Sequence, residues 1–431
     1  MKIYISGIFG TGMKPLALMA KDAGFLIFGS DKNSAVLNDD DLVRSGILVS
    51  DEQNGDFLQK CTNEGGLDWY VHSSAMSENH PELVKARELD LKITKRDEFI
   101  AFLVEKLGLK MVAVAGTHGK TTTTAMIIWA MRQLGVRVSY LVGSSLPFAP
   151  AGHYEPTSNF LIYEADEYDR NFLRFSPWLS VITAVSYDHP DIYKTKEEYL
   201  AAFAQFVSQS EQVIVKEDTE KMPIFTEKCR FLPALEGDFD LSGAARRYDA
   251  SLAGGAVFAV LNEVTGDYRY ENQTKTAEIK RALASFPGVG RRFEKIADGI
   301  YSDYAHHPEE IQATIEIAKE EASRCGLKGV VAIYEPHQNS RQHEVFNEYR
   351  EVFDGVEQLF WLPTFLTRED ERLKVIEPEE FIKSLSDKVK AEKANLDEKL
   401  AENIKKWRNK GYLVLLMTAG PADLWLRNLL F

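Results

Sequence analysis

Between residues 112 and 124 the chain reads as a buried strand, a glycine turn and the start of a helix: Val112-Ala113-Val114-Ala115-Gly116-Thr117-His118-Gly119-Lys120-Thr121-Thr122-Thr123-Thr124. Gly116 and Gly119 let successive backbone N–H groups converge on phosphate oxygens, and the helix N-terminus adds its positive dipole end. Lys120 then reaches the β- and γ-phosphates of a bound ATP, and Thr121 offers a hydroxyl to Mg2+. The longer nucleotide loop would place a glycine at Val114, so this is the shorter Gly116-x-x-Gly119-Lys120-Thr121 form. The residues set out for ATP are Gly116, Thr117, His118, Gly119, Lys120, Thr121 and Thr122.

The same alternation of apolar runs and helix-length segments continues along the chain. Lys2 to Ile5, Phe25 to Phe28, Leu67 to Val71, Met111 to Ala115, Phe160 to Tyr163, Leu179 to Thr183, Gln212 to Val215, Val330 to Ile333, Gln358 to Leu362 and Tyr412 to Met417 predict strands. Pro15 to Ala23, Thr121 to Gln133, Glu309 to Glu321 and Asn347 to Phe353 predict helices. Such alternation predicts an α/β fold of parallel sheets, with ligand loops at the carboxyl ends of the strands. Three turns qualify: Gly7 to Gly12, Gly116 to Lys120, and Asp303 to His307 after a short strand at Gly299 to Ser302. One sheet per turn predicts three domains, with joints near Lys106 to Lys110 and near Phe286 to Gly290, where Phe-Pro-Gly-Val-Gly breaks any helix. Residues 216 to 285 are polar and irregularly patterned, and the Lys- and Glu-rich stretch 385 to 410 predicts a solvated helix.

Triphosphate chemistry also asks for hard oxygen ligands around Mg2+. Glu164, Asp166, Glu167 and Asp169 follow one strand, and Asp188-His189-Pro190-Asp191 follows a strand expected at Ser180 to Val185. The expected metal set is Thr121, Glu164 and His189. Length and charge narrow the rest. A chain of 431 residues suits two to four domains. Its 51 Lys and Arg against 65 Asp and Glu leave a net charge of −14, the wrong sign for a nucleic-acid or anionic-membrane binder. Cys61, Cys229 and Cys325 stand singly, which excludes a cysteine zinc site. No run approaches the roughly 18 apolar residues of a membrane helix, and the first residues lead into a strand without a signal-peptide pattern. A cytoplasmic enzyme, monomer or homodimer, is expected.

Taken in order, Ser73-Ser74-Ala75, Gly116 to Thr123, Glu164-Ala165-Asp166-Glu167, Asp188-His189-Pro190-Asp191, Gly290-Arg291-Arg292-Phe293, Asp303-Tyr304-Ala305-His306-His307-Pro308 and Glu335-Pro336-His337 resemble the motifs of the Mur ligases, which build the peptide stem of peptidoglycan. The resemblance implies a Rossmann-like N-terminal domain for a UDP-sugar (1–107), a central P-loop ATPase-type domain with a parallel sheet (108–286) and a C-terminal Rossmann-like domain that brings the amino acid (287–431). It implies an amide bond made from the carboxylate of UDP-N-acetylmuramate through an acyl phosphate, with ATP and Mg2+. Gly288 to Glu294 and Pro336 to Arg341 lean towards the subgroup that joins L-alanine; Glu167-Tyr168-Asp169 leans towards the one that attaches a recycled tripeptide.

By the same resemblance the UDP-sugar meets Gly7, Gly10, Thr11, Gly12, Asp31, Ser73 and Ser74. The amino acid meets His306, His337 and Arg341, and catalysis falls to Lys120, Glu164, His189, Arg292 and Asp303. Two positions depart from the family. Ala245-Arg246 and Asp249 stand where a His-Asn pair and a second Asn approach adenine, and Gln338 replaces an arginine beside the amino acid. On the residues alone, the Gly7 to Gly12 turn with Asp31 nineteen positions after Gly12 also fits an NAD-binding dehydrogenase, which leaves the phosphate loop unexplained. A non-catalytic ATP-binding switch is a third reading.

Overall fold

The computed structural model describes residues 1–189, 192–215, 224–225, 229–267, 273–367, 369 and 372–430. The motif residues Pro190 and Asp191 lie outside them. Three sheets form among the described residues, each centred on apolar runs buried on both faces, as parallel strands must be.

The first sheet contains β1 (Lys2–Ser6), β2 (Leu26–Ser30), β3 (Leu48–Ser50), β4 (Trp69–His72) and β5 (Lys92–Lys95). Its order is β3-β2-β1-β4-β5, parallel throughout. The order reverses between β1 and β4, so a crevice opens at their carboxyl ends. The Gly7 turn leaves one strand there and Ser73 follows the other.

The second sheet contains β6 (Lys110–Ala115), β7 (Ser139–Leu141), β8 (Gly152–His153), β9 (Phe160–Glu164), β10 (Leu179–Ile182), β11 (Val213–Ile214) and β12 (Phe231–Leu232), in the order β12-β11-β10-β6-β9-β7-β8. Val114 of β6 lies opposite Val181 of β10 on one side and Glu164 of β9 on the other. The phosphate loop therefore leaves the sheet flanked by both acidic loops.

The third sheet contains β13 (Glu294–Ala297), β14 (Ile300–Asp303), β15 (Val330–Glu335), β16 (Gln358–Trp361), β17 (Ala391–Lys393) and β18 (Leu413–Thr418), ordered β13-β14-β18-β15-β16-β17. Residues Met1–Phe239 with Asp249–Pro287 make one compact unit that holds the first two sheets; Asp240–Tyr248 with Gly288–Phe431 make another around the third. Within the first unit the two sheets share an apolar core that includes Ile5, Leu16, Leu103, Met111 and Leu141. The helix Met13–Asp22 lies so close to β8 that a Cβ on Gly152 would fall 2.0 Å from the Pro15 carbonyl oxygen.

Several elements differ from the pattern reading. The stretch 385 to 410 is not one helix: Ala391–Lys393 is the edge strand of the third sheet, where charged side chains face water, and the helix covers only Glu398–Asn409. The irregular region contains two helices, Ala244–Thr265 and Gln273–Ala284. The first is buried through Leu252, Ala253, Gly254, Gly255 and Ala256; its glycines fit close contacts with Leu235 and the Pro233 carbonyl, and the run of small residues after Leu252 blurs any helical period. The run at Ser180 to Val185 stops being strand at Ile182. Residues Phe346–Glu351 form a 3-10 helix that continues from the helix Asn339–Val345, in place of the helix expected at Asn347 to Phe353.

Candidate functional site

Both loop glycines are required by geometry. Gly116 has φ +144°, and a Cβ there would lie 2.3 Å from Thr183 Oγ1 and 2.7 Å from the Ala184 carbonyl oxygen. Gly119, at φ +81°, precedes the helix Lys120–Gln133 and leaves its first amides without a side-chain cap. Those amides are the donors an anion would use. Asp249 Oδ1 sits 2.6 Å from the place of a Gly119 Cβ, so the departing residue of the long helix packs on the phosphate loop. Thr117 anchors the turn from below: its hydroxyl donates to the Ser186 carbonyl at 2.7 Å and accepts from the Ser186 amide at 2.9 Å. His118 contributes its carbonyl to Thr183, and Thr122 lies half-buried in the first helical turn.

Lys120 Nζ donates to the Gly116 carbonyl at 2.5 Å and to Glu167 at 3.0 Å. Burial works to lower the lysine, but Glu167, Asp166 and Glu164 outweigh it and raise it, so it stays charged. Burial likewise works to raise the Glu167 carboxyl, and Lys120 with His189 hold it below its usual value. Thr121 Oγ1 donates to Glu164 Oε1 at 2.6 Å, and Glu164 Oε2 accepts the Gly143 amide at 2.7 Å. His189, expected as a third metal ligand, faces Glu167 at 3.6 Å and Asp188 at 3.8 Å. No three His, Cys, Asp or Glu side chains converge as a metal cage among the described residues. A hydroxyl and one carboxylate in contact fit Mg2+, which takes a few hard protein oxygens and fills the rest with water and phosphate.

The N-terminal glycine turn meets this centre. Thr11, Gly12, Arg96, Lys120, Glu164 and Asp166 are among the residues lining one cavity of about 210 Å3. Gly7 takes φ +70° after β1, and the Gly10 amide donates back to its carbonyl at 3.0 Å. Asp31 braces the turn by accepting the Phe9 amide at 3.1 Å and the Asn33 amide at 3.0 Å. Ser73 and Ser74 are half-buried beyond β4. The sequence reading missed two neighbours. Arg96 Nη2 donates to Asp166 at 3.3 Å, and Nη1 lies 1.9 Å from where a Gly12 Cβ would be. It opens the helix that follows β5, at the carboxyl edge where ligand residues were sought. Glu82 is fully buried and accepts hydroxyls from Tyr4 at 2.6 Å, Ser30 at 2.7 Å and Ser6; nothing in its spacing announces it.

In the other unit, Asp303 ends β14 and accepts the Phe293 amide at 2.6 Å, the Ala305 amide at 2.7 Å and the Thr314 hydroxyl at 3.2 Å. Burial pushes its carboxyl above the usual range. Its oxygens thus tie Phe293 to the His306 loop, which makes it a brace. Arg291 and Phe293 hold left-handed backbone at φ +56° and +50°, Arg291 Nη2 donates to the Thr418 carbonyl at 2.7 Å, and the Arg292 guanidinium lies 5.0 Å from the Tyr304 ring centroid. His306 Nδ1 faces the Tyr304 carbonyl at 2.9 Å, and its ring stands 5.4 Å from that of His337. Burial lowers the His306 imidazole, with Arg341 and Arg292 adding to it, so the ring is neutral at pH 7. Arg341 Nη1 is buried with no acceptor among the described residues. Gln338 takes φ +62° and donates its amide to the Phe365 carbonyl at 3.0 Å.

Comparison with known proteins gives the same picture. Residues 2–106 match the family described as "Mur ligase family, catalytic domain", and residues 114–239 match "Mur ligase middle domain". The UDP-N-acetylmuramate--L-alanine ligase of Clostridium perfringens is 30% identical over 98% of this chain and 96% of its own length. That of Rubrobacter xylanophilus is 32% identical over 82% of each. Among solved structures, UDP-N-acetylmuramate-alanine ligase MurC from Thermotoga maritima superposes with a TM-score of 0.75 at 22% identity, covering 100% of this chain and 98% of that one. A murein peptide ligase from Psychrobacter arcticus follows at 0.65 and 20% identity, covering 100% and 98%. With relatives at this identity spanning 82% and 98% of its length, a phosphate loop between two acidic loops and a second glycine turn facing it, the chain belongs to the Mur ligase family.

Proposed function

We propose that this chain is an ATP-dependent UDP-N-acetylmuramate–L-alanine ligase. The observation that carries the reading is the shared cavity, lined by Thr11 and Gly12 of the turn after β1 together with Lys120 of the phosphate loop and Glu164 at the end of β9. A sugar nucleotide held by the first turn can there present a carboxylate to a γ-phosphate held by the phosphate loop. The names of the curated relatives supply the substrate class. Residues 1–107 take the UDP-sugar, 108–286 take ATP and 287–431 take the amino acid.

In the first step a carboxylate oxygen attacks the γ-phosphorus, the bond to the β-phosphate oxygen breaks and ADP leaves. In the second, the amine nitrogen attacks the acyl carbon and inorganic phosphate leaves with the electron pair of the C–O bond. Phosphoryl transfer needs positioning and charge neutralisation more than covalent help. Lys120 and the loop amides supply both. Thr121 and Glu164 would hold Mg2+, which when bound neutralises phosphate charge. Arg341 offers its unpaired guanidinium nitrogen to the amino-acid carboxylate. His306 donates from Nδ1 to a carbonyl, which leaves Nε2 as the basic nitrogen able to take the proton the ammonium must lose. Asp303 positions that loop, and Arg292 stands beside it.

The test is phosphate release from ATP with UDP-N-acetylmuramate and, in parallel, L-alanine, L-serine, glycine or the tripeptide. Release that requires both the UDP-sugar and L-alanine is expected. Release indifferent to the UDP-sugar would overturn the reading, and preference for the tripeptide would move the chain to the sibling activity.

A further inference from the structure

Tyr163 sits one residue before Glu164 on β9, opposite Ala113 of β6 and Leu141 of β7. Its ring packs edge-on against Phe175 with centroids 5.1 Å apart, and the residue is 4% exposed. Its hydroxyl is buried and has no hydrogen-bond partner among the described residues. An unpaired buried hydroxyl is destabilising, and phenylalanine would fill the same space without that cost. Buried polar groups left unpaired in a native fold call for an explanation, and here the residue is among those that line the same cavity as Arg96 and Lys120.

Arg96 supplies the matching charge. Of its nitrogens, Nη2 is engaged by Asp166 at 3.3 Å, while Nη1 lies over the backbone of Gly12. A guanidinium and a phenol are both donors, and they border a cavity that Lys120 also lines. A tyrosine hydroxyl is a donor at neutral pH.

We propose that Arg96 and Tyr163 form the receptor for the carboxylate of the sugar-nucleotide substrate, the group that is to be phosphorylated. The proposal rests on the ligase reading above and adds to it the residues that hold the reacting group. The diphosphate belongs at the amides of the Gly7 to Gly12 turn. Tyr163 adjoins the other wall, because the next residue, Glu164, is in contact with Thr121 of the phosphate loop. A carboxylate accepting one bond from the phenol and one from the guanidinium has its reacting oxygen on the Lys120 side.

The experiment titrates the full chain, as wild type, Tyr163→Phe and Arg96→Lys, with UDP-N-acetylmuramate and with UDP-N-acetylglucosamine, which carries the same diphosphate but no lactyl carboxylate. Each substitution is expected to weaken UDP-N-acetylmuramate about tenfold, the worth of a hydrogen bond to a charged group, and to leave UDP-N-acetylglucosamine within about twofold. Tyr163→Phe should also unfold at the same temperature as wild type or higher, since it removes an unpaired hydroxyl. Equal weakening of both ligands would place the pair on the diphosphate and overturn the proposal, as would weakening of neither. Wild-type protein that binds neither UDP-sugar would overturn the ligase reading itself, and the proposal with it.

Discussion

Lys120 Nζ lies 2.9 Å from Glu167 Oε2, and that carboxylate is 1% exposed. The charge that a γ-phosphate would meet is thus held in place by a buried partner before any nucleotide arrives. Lys120→Ala removes it, and a preorganised charge of this kind is worth about 3–4 kcal/mol at a transition state. Turnover should fall at least about a hundredfold, while titration with UDP-N-acetylmuramate should give nearly wild-type affinity. Equal loss of sugar binding would show that the lysine acts elsewhere.

Gly116→Ala should abolish ATP binding without touching the first sheet. Its φ of +144° disfavours any side chain, and the added methyl would meet Thr183 and the Ala184 backbone. A destabilisation of about 2 kcal/mol is expected in urea unfolding. Calorimetric titration with ATP checks the binding loss, and retained UDP-sugar binding confirms that the variant is folded.

The net charge of −14 opposes every anionic ligand, so affinity must come from a few local donors and from metal. ATP affinity should therefore fall steeply when EDTA removes Mg2+. Glu164→Gln should raise the Mg2+ concentration needed for half-maximal activity about tenfold, in the range seen when a group that supports a metal is lost. Nucleotide binding indifferent to EDTA would contradict this.

Burial sets the His306 imidazole below its unfolded value of about 6.5. The unfolded chain then binds the proton more readily, so the full stability is present above pH 6.5. It is lost as pH falls through that value towards the folded one, by up to about 1.4 kcal/mol per pH unit. His306→Gln should flatten this loss. Urea midpoints for the two proteins between pH 7.5 and 5.5 provide the measurement, and parallel curves would mean that the ring protonates freely in the fold.

Much of this was readable in the chain, for identifiable reasons. Val112 to Thr124 announces itself because a buried parallel strand is uniformly apolar and the glycines, lysine and threonine each have a distinct task. Its flanks, β9 and β10, are equally apolar and lead into acidic loops, so the neighbourhood of Glu164 and Glu167 could be inferred. Short edge strands such as Lys92–Lys95 and Ala391–Lys393 were not legible, because a partly solvated strand of three or four residues carries no hydrophobic run. The helix Ala244–Thr265 hid behind alanines and glycines that pack by backbone proximity. His189 was legible from its place after an apolar run, but its 3.6 Å approach to Glu167 was not, since that pairing joins two loops. Arg96 and Glu82 matter through what they touch across the fold, and a linear motif does not display that.

The closeness of Gly12 to Arg96 bears on how the family can vary. A methyl at position 12 would occupy the place of the guanidinium nitrogen. The two sites are thus a single heritable unit: a lineage that exchanged the glycine would have to re-seat or discard the arginine, and one that lost the arginine would be released to accept larger residues in the turn. Covariation between these positions across many relatives, although they are 84 residues apart in sequence, is the evolutionary trace such a contact should leave.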